Sequence, residues 1–274
     1  MHAIADTAAP RSSTADQASR SSSAGVHATL RVLDLLAAHG PLQLSEITRR
    51  LGLAKSTVHR ICAVLQERGW LVRSHDGALD LGIRALRLGS RSTGLPIVTA
   101  FHSIASDFLT AHNETLALAV LDGAESLYLA LEETSHPVRL ATHVGSKTPA
   151  FASASGRAVL ARMRPEEVDR LFAGRLLVTP TGRRLNGLVE LHAILEQVRR
   201  DGFAENREET AVGLYAASVA VANGSGETLA ALTTCIPMCR LEDDRRRVIL
   251  ADLQGAARRL EHLVDWLPAL SARA

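Results

Sequence analysis

Apolar residues recur every three or four positions along the first part of the chain, which is the spacing of amphipathic helices. The pattern predicts helices over 26–39, 45–51 and 55–68, and Ser45 suits the N-cap position of the second helix. Only the short turn 52–54 separates the second helix from the third. Two helices joined by such a turn are typical of a helix-turn-helix.

The hydrophobic period changes to two after residue 69. Segments 70–73 and 78–81 alternate apolar and polar residues, and Asp76-Gly77 lies in the bend between them. This combination predicts a β-hairpin. Helix, helix, tight turn, helix and hairpin follow one another in the order of a winged helix-turn-helix, so we expect that fold for this part of the chain.

The remainder of the chain mixes both periods. A short helical stretch at 83–90 is followed by a Gly and a Pro at 94–96, which mark a joint between domains. The pattern then predicts strands at 115–121, 126–132, 138–144, 214–222 and 228–236, and helices at 96–112, 155–163, 166–172, 188–201 and 243–267. Antiparallel-looking strands with helices grouped between them predict an α+β fold.

Composition and these breaks predict four segments. The Ser- and Ala-rich start, 1–24, is expected to be a disordered tail, and 25–82 to be the winged helix-turn-helix domain. A linker helix at 83–95 would join it to the larger domain, 96–274.

Two further features bear on the compartment. No apolar run approaches the ~18 residues that span a membrane, and the first residues carry no secretory signal. The three cysteines are odd in number and scattered, which indicates a reducing environment. We therefore expect a cytoplasmic protein with no membrane partner.

The third predicted helix has an apolar side and a polar side. The polar N-terminal turn carries the candidate DNA-binding residues Lys55, Ser56, Thr57, His59 and Arg60. Hydroxyls at a helix N-terminus suit a phosphate, and a guanidinium can pair with guanine in the major groove, so Arg60 is the candidate base reader. His59 could equally pack against the protein, and the whole turn could be an ordinary solvated face.

Other basic side chains belong to the same segment. Between residues 25 and 90 there are nine Lys or Arg and five Asp or Glu, whereas the whole chain has a net charge of only +2. This distribution fits a phosphate-facing surface. We expect Arg49, Arg50 and Arg73 to contact the DNA backbone and His75 at the wing tip to reach a minor groove. Double-stranded operator DNA is the predicted macromolecular partner.

Three stretches of the sequence resemble one family. The stretch LSEITRRLGLAKSTVHRICAVLQERGWLVRSHDGALDLG resembles the DNA-binding domain of the IclR family of bacterial transcription regulators, while HVGSKTPAFASASGRAVLARMRPEE and VRRDGFAENREETAVGLYAASVAVANGSGETLAALTTCIP resemble its effector domain. The resemblance implies a one-component regulator in which a linker helix joins the winged helix to a GAF-like domain that binds a small metabolite. It also implies a homodimer or a dimer of dimers that acts near catabolic genes.

The resemblance implies an effector pocket as well. The matching residues are Leu140, Thr148, Ala154, Ser155, Gly156, Asn206, Leu214, Ala216, Thr233 and Cys235. Small residues at the start of a helix let a ligand carboxylate approach free N–H groups, and residues two apart on a strand face the same side. We expect a weakly polar organic acid as effector, with aromatic acids among the candidates. The alternative is that the small residues only allow close packing of helix on sheet.

Four positions depart from the residues that are usual in the family, and one of them is Ala28 on the first helix, where Arg is often found. Arg157 stands where Lys is usual, and we expect this exchange to be neutral. Asn206 stands where an acidic residue is common, and Cys235 where Ser is common. The last two make the predicted pocket less charged and softer, so the effector of a relative does not transfer directly to this chain.

Other classes of function receive less support. The chain contains no G-x-S-x-G, H-E-x-x-H, P-loop or dinucleotide-binding motif, so we expect neither enzyme activity nor a cofactor. Cys235 and Cys239, together with His143, keep an alternative open, which is a metal- or redox-responsive DNA-binding sensor.

Overall fold

The computed structural model describes residues 14–92 and 95–268. The chain divides into two compact units, with the division between residues 93 and 94. The first unit contains the predicted DNA-binding residues and the second the predicted pocket residues. Each unit has a hydrophobic core of its own.

The described residues of the first unit form four helices and a two-stranded hairpin. They are α1 (Thr14–His39), α2 (Leu44–Leu51), α3 (Lys55–Glu67), β1 (Leu71–Arg73), β2 (Leu79–Leu81) and α4 (Ile83–Ser92). The hairpin is antiparallel, with Val72 opposite Asp80. The order of elements is the one that the hydrophobic pattern predicts, a helix-turn-helix followed by a wing. Helix α4 lies in the segment predicted as the linker helix.

Two helix starts differ from the sequence predictions. Helix α1 begins at Thr14, inside the segment 1–24 that the sequence predicts as a disordered tail, and residues 1–13 lie outside the described part of the chain. The first turns of α1 contain polar residues and alanine without an apolar period, so periodicity does not detect them. Helix α2 begins at Leu44, and its N-cap is Gln43 without a side-chain cap, rather than Ser45.

A glycine makes the tight turn before α3. Gly52 has a φ of +63°, a left-handed conformation that suits glycine, and its N–H donates to the Thr48 carbonyl at 3.0 Å. The chain therefore leaves α2 abruptly, and α3 begins three residues later. Beneath these helices lies a core that includes Val32, Ile47, Val58 and Leu79.

The second unit contains five helices and six strands among its described residues. In chain order they are α5 (Pro96–His112), β3 (Thr115–Asp122), β4 (Glu125–Glu132), β5 (Lys147–Pro149), α6 (Ala154–Leu160), α7 (Pro165–Phe172), α8 (Gly187–Asp201), β6 (Ala204–Arg207), β7 (Leu214–Ala222), β8 (Thr228–Pro237) and α9 (Asp243–Val264). The strands form one antiparallel sheet in the order β5-β4-β3-β8-β7-β6. The unit is therefore an α+β domain, as predicted.

One predicted strand is wrong and two observed strands were not predicted. Segment 138–144 has alternating apolar residues but forms no strand, because the chain pairs with β4 only after this segment. Gly145 N–H donates to the Tyr128 carbonyl at 2.8 Å, and Tyr128 N–H donates to the Ser146 carbonyl at 3.1 Å. Strand β5 begins directly afterwards and forms one edge of the sheet. Strand β6 forms the other edge, and its four residues are too few for a clear alternation.

Helices cover both faces of the sheet. On one face α5 and α9 pack over a core that includes Phe101, Leu116, Tyr215 and Leu253. On the other face α6 packs against the sheet and α8 packs against α6, over a core that includes Leu160, Leu191 and Ala231. Gly156 allows α6 to lie this close, because a Cβ there would be 2.3 Å from the Ala150 carbonyl oxygen.

Candidate DNA interface and effector cavity

Helix α3 buries one side and exposes the other, as its pattern predicts. Val58, Ile61, Cys62 and Leu65 are buried in the first core. The predicted DNA-reading residues lie on the opposite side, where Lys55, Ser56, His59 and Arg60 are exposed and Thr57 is half-buried. This exposure places His59 among the candidate contacts rather than in the core.

The polar side of α3 has no partner within the described residues. The side chains of Lys55, His59 and Arg60 make no hydrogen bond or ion pair there, so their N–H groups are available to another molecule. A run of exposed donors at the start of a helix is the arrangement with which helix-turn-helix domains contact bases and phosphates.

The two neighbouring arginines on α2, Arg49 and Arg50, share one partner, the carboxylate of Glu46. Glu46 accepts from Arg49 Nη2 and from Arg50 Nε, each at 2.6 Å. These two guanidinium groups hold the pKa of the Glu46 carboxyl at about 2. Both arginines remain exposed, so they can face a phosphate, but only in competition with Glu46.

The wing is braced by side chains at its turn. Arg73 Nη1 donates to the Gly77 carbonyl at 3.0 Å, and Ser74 Oγ donates to Asp76 Oδ1 at 2.5 Å. Gln43, just before α2, donates to the Asp76 carbonyl at 3.0 Å. His75 at the tip is exposed. The hairpin is thus held to the start of the helix-turn-helix while its tip stays accessible.

A cavity of about 330 Å³ lies in the second unit. Its walls come from β4, the segment that leads into β5, the start of α6, the β6–β7 loop, β7 and β8. The lining residues are Tyr128, Leu140, Ala141, Thr142, Ser146, Lys147, Thr148, Ser153, Ala154, Ser155, Thr210, Ala211, Leu214, Ala216, Thr233 and Cys235. Hydroxyl groups, one thiol, one ammonium group and methyl groups therefore surround the space, without a carboxylate among these residues.

Eight of the ten residues predicted for the pocket line this cavity. They are Leu140, Thr148, Ala154, Ser155, Leu214, Ala216, Thr233 and Cys235. The other two lie behind the wall. Gly156 serves the close packing of α6, which is the alternative that the sequence left open. Asn206 donates from Nδ2 to the Ala152 carbonyl and accepts at Oδ1 from Glu209 N–H at 2.9 Å, so both ends of its amide are already bonded.

Several hydroxyl groups of the lining are hydrogen-bonded to residues next to them in the wall. Ser155 Oγ lies 2.7 Å from Ser126 Oγ, and Thr233 Oγ1 lies 2.8 Å from Ser218 Oγ. Ser153 accepts from Gly156 N–H at 3.1 Å and thereby caps α6. Such bonds fix the rotamers of the wall before any ligand arrives.

Cys235 and Tyr128 are both buried residues of the lining. Burial raises the pKa of both groups, that of Cys235 to about 12. The thiol is therefore neutral and a weak nucleophile at neutral pH. Cys239 lies in a 3₁₀ turn (Met238–Arg240) after β8 and is exposed.

The alternative of a metal- or redox-responsive sensor finds no support in this arrangement. Cys235 is buried and Cys239 is exposed, so the two thiols face different surroundings. Within the described part of the chain, no group of three or more His, Cys, Asp or Glu side chains is placed to hold a metal ion. The described helices also include none that is long and apolar enough to cross a membrane.

Two polar groups of the lining differ from the hydrogen-bonded hydroxyl groups, one because it has no partner and one because it is charged. Thr148 Oγ1 is buried and has no hydrogen-bond partner among the described residues. Lys147 is the cation of the lining, and its Nζ lies 2.6 Å from Asp122 Oδ2 and 3.6 Å from Glu125 Oε2 at the edge of the sheet. A buried unpaired hydroxyl and a nearby ammonium group suit a polar or anionic ligand.

Arg157 is buried and contacts both Phe151 and Glu209, which its sequence position does not predict. It is only 4% exposed, its Nε donates to the Phe151 carbonyl at 2.7 Å, and its Nη1 lies 2.5 Å from Glu209 Oε2. Burial lowers the pKa of Arg157 to about 10. Lysine carries its donors on a single nitrogen, whereas the guanidinium of Arg157 spreads them over a planar fork, and the neutrality of the exchange stays a prediction.

Several lining residues were missed from the sequence. Tyr128, Ser146, Lys147 and Thr210 belong to β4, β5 and two connecting segments, far apart in the chain. The one available signal was the alternation of β4, which places Tyr128 on the same side as Ser126. Nothing in the sequence pairs that strand with the β6–β7 loop.

Two family models match the chain. The model for the C-terminal domain of the bacterial transcriptional regulator IclR matches residues 91–262, and that for the IclR helix-turn-helix domain matches residues 28–75. A similar curated protein is the transcriptional regulator SauR of Cupriavidus necator. It is 31% identical over 248 residues, which are 87% of this chain and 96% of that protein.

Solved structures with the same fold come from this family too. An IclR transcriptional regulator from Silicibacter is 26% identical, has a TM-score of 0.79, and aligns over 91% of this chain and 98% of its own. An IclR homolog from Microbacterium hydrocarbonoxydans, solved with 4-hydroxybenzoate, has a TM-score of 0.71 at 23% identity and aligns over 88% and 98%. Since the C-terminal family model spans more than half of the sequence, this chain belongs to the IclR family of bacterial transcriptional regulators, with a helix-turn-helix DNA-binding domain and a C-terminal effector domain.

Proposed function

We propose that this regulator binds operator DNA through α3 and the wing, and that a small organic acid in the cavity controls this binding. The observation that carries the proposal is the cavity lining, which offers hydroxyl groups and one ammonium group and, among its described residues, no carboxylate. Such a lining favours an anionic ligand over a cationic one. The targets would be catabolic genes, in keeping with the family resemblance, and the protein would act in the cytoplasm.

The DNA contacts divide into base reading and backbone positioning. Arg60 is exposed on α3 without a partner, so its guanidinium can pair with guanine O6 and N7 in the major groove. Ser56 and Thr57, at the start of α3, suit a phosphate, and Lys55 adds a positive charge. Arg49, Arg50 and Arg73 would contact the backbone on either side, and His75 the minor groove.

The effector would bind with its carboxylate toward the start of α6. Ala154 and Ser155 are the first residues of this helix, whose initial N–H groups have no acceptor within the helix. Thr148 Oγ1 is a further unused polar group in the lining. A cavity of about 330 Å³ is at the small end of ligand pockets, which favours a single-ring acid or a smaller one. The 4-hydroxybenzoate bound to the Microbacterium homolog supports an aromatic acid.

Two copies, or two pairs of copies, would bind one operator. A single helix-turn-helix makes few base contacts, and two-fold symmetry doubles them on a palindromic site. We therefore expect the functional unit to be a homodimer or a dimer of dimers.

Fluorescence anisotropy with the DNA upstream of this gene and its neighbours tests the proposal. Organic acids, among them 4-hydroxybenzoate, benzoate and pyruvate, are added to the complex, and the neutral 4-hydroxybenzamide tests the need for a charge. We expect salt-dependent specific binding and a shift of that binding by at least one acid. Binding no tighter than to unrelated DNA at the same salt concentration would refute the regulator assignment of α3.

A pair of variants in the β6–β7 loop tests the cavity. Ala211→Leu adds bulk to a side chain that lines the cavity, while Val212→Leu changes the next side chain, which is 83% exposed. We expect Ala211→Leu to weaken the response to the acid and Val212→Leu to leave it unchanged. An equal response from both variants would place the effector elsewhere.

A further inference from the structure

The β6–β7 loop forms part of the cavity wall, and Glu209 lies in it. The next two residues, Thr210 and Ala211, line the cavity. Glu209 itself does not, although its side chain is almost fully buried, with the residue 7% exposed. A buried carboxylate that faces away from the ligand space needs partners, since an isolated buried charge is costly.

The partners are two arginines from different segments. Glu209 Oε2 lies 2.5 Å from Arg157 Nη1, a close ion pair rather than an aligned hydrogen bond, and Oε1 accepts from Arg183 Nη1. Arg157 belongs to α6, whose first residues line the cavity. Arg183 lies in the segment between α7 and α8 and also pairs with Glu190 at 2.6 Å. The carboxylate therefore joins three segments of the domain.

The backbone of Glu209 is held at the same point. Its N–H donates to Asn206 Oδ1 at 2.9 Å, and its carbonyl accepts from Thr181 Oγ1 at 3.1 Å. The other end of the Asn206 amide donates to the Ala152 carbonyl, just before α6. Side chain and backbone thus tie the loop both to the start of α6 and to the segment between α7 and α8.

The rest of the loop is held mainly at its end next to β7, where Leu214 N–H donates to the Ala211 carbonyl at 3.2 Å and Met238 N–H donates to the Gly213 carbonyl at 2.7 Å. Glu208 has a φ of +59°, a left-handed conformation that is unusual for a residue other than glycine. Glu208 Oε1 accepts from Gly213 N–H at 2.6 Å, which closes the base of the loop. No side-chain hydrogen bond of Thr210 occurs among the described residues, and Val212 is 83% exposed. Through its side chain, Glu209 connects this loop, and with it Thr210 and Ala211, to α6 and to the segment between α7 and α8.

We infer that Glu209 is a positioning residue of the effector cavity, which holds one wall of the cavity in place by bridging Arg157 and Arg183. This inference rests on the proposed function for its consequence, because the wall matters only if an effector binds against it. The claim that Glu209 holds the loop in place depends only on its contacts with Arg157 and Arg183. Without the carboxylate, Arg157 would stay buried with an uncompensated charge, and the loop and the start of α6 would separate.

Three variants isolate this role. Glu209→Gln keeps the size of the side chain and removes the charge. Arg183→Gln removes only the half-exposed arm of the bridge, and it serves as the milder variant if Glu209→Gln unfolds. Glu190→Gln is the matched control, since it breaks an ion pair of the same Arg183 without touching the loop.

Amide hydrogen exchange of the ligand-free full-length protein measures the wall directly. Exchange in peptides covering 208–214 and 150–157 should rise about tenfold in Glu209→Gln and less in Arg183→Gln, because local opening sets exchange there. Peptides of α5 and α9 on the other face of the sheet should stay unchanged, as should all peptides of Glu190→Gln. An unchanged loop in Glu209→Gln, or a rise spread evenly over both faces, would overturn the inference.

A titration with 4-hydroxybenzoate separates the two proposals. If this acid binds the wild-type protein, Glu209→Gln should weaken binding about tenfold or more, with Glu190→Gln within about twofold of wild type. If the acid does not bind the wild type, the aromatic-acid part of the proposed function fails, while the exchange result still decides the role of Glu209.

Discussion

The two units treat their polar functional groups in opposite ways. On α3 the side chains of Lys55, His59 and Arg60 are exposed and unpaired among the described residues. Around the cavity, Ser155 and Thr233 are buried and already bonded to other side chains. The first surface is ready for a large, charged partner, whereas the second is organised in advance for a small one.

This difference determines what a substitution costs. Removing an exposed group from α3 removes a contact with DNA but leaves the fold intact, since surface changes alter stability little. Removing a group from the cavity wall also breaks a bond that holds the wall. Function and stability should therefore separate cleanly in the first unit and remain coupled in the second.

The largest expected effect is that of Gly156→Ala. The new Cβ would be 2.3 Å from both the Cα and the carbonyl oxygen of Ala150, so α6 must move away from the backbone it packs on. We expect a loss of ~3 kcal/mol in the free energy of unfolding, measured by urea denaturation, together with loss of the effector response. Gly255→Ala in α9 is the control. Its nearest neighbour would be Arg258 Nη2 at 4.0 Å, and stability should rise by roughly 0.5–1 kcal/mol.

Arg60→Ala tests the separation in the first unit. We expect the preference for the operator over unrelated DNA to fall by about 1–3 kcal/mol, the usual contribution of a guanidinium paired with guanine. The melting temperature should not change, because the side chain is exposed and unpaired. Arg68→Ala, at the other end of α3, carries the same charge change. If Arg68→Ala lowered the preference for the operator as much as Arg60→Ala does, Arg60 would contribute only its positive charge.

Thr148→Val and Thr233→Val should differ in the sign of their effect on stability. Thr148 Oγ1 is buried without a partner, so its removal should raise the free energy of unfolding by about 1 kcal/mol. Thr233 Oγ1 is bonded to Ser218 Oγ, so its removal should lower that free energy by a similar amount. Both variants should bind the effector less tightly. A loss of stability in Thr148→Val would mean that this hydroxyl has a partner, such as an ordered water.

The smallest expected effect is that of Glu46→Gln. Glu46 pairs with Arg49 and Arg50, and its pKa of about 2 means that the carboxylate is ionised at neutral pH. Without the carboxylate the two guanidinium groups become available to phosphates. We expect tighter binding to unrelated DNA and a steeper salt dependence of that binding, measured by anisotropy between low and moderate salt. Unchanged binding would show that neither arginine faces the DNA.

The first unit could be predicted in detail because its information is local. The period of Val58, Ile61 and Leu65 assigns both sides of α3, and the glycine at 52 accounts for the turn before it. The first turns of α1 were not predicted, because their residues show no apolar period. Ser45 was predicted as the N-cap of α2, but the helix begins one residue earlier, at Leu44, and its N-cap is Gln43.

The cavity could not be predicted from patterns, because its walls meet only in three dimensions. The resemblance supplied eight of the lining residues, while Asn206 lies outside the lining with its amide bonded to Ala152 and Glu209. The ion pair of Arg157 with Glu209, in the loop between β6 and β7, was not visible in the sequence either. Whether a side chain faces a ligand or braces a wall is decided by tertiary contacts that residue type does not reveal.

The position of β8 in the sheet has a consequence for synthesis. Strand β8 pairs with β3, and Thr234 on it donates to the carbonyl of Thr115, 119 residues earlier in the sequence. The cavity therefore cannot close until β8 has left the ribosome. The first unit, made of local contacts and translated earlier, can fold during this time. In each newly made molecule, the unit that carries α3 can thus fold before the unit that contains the cavity.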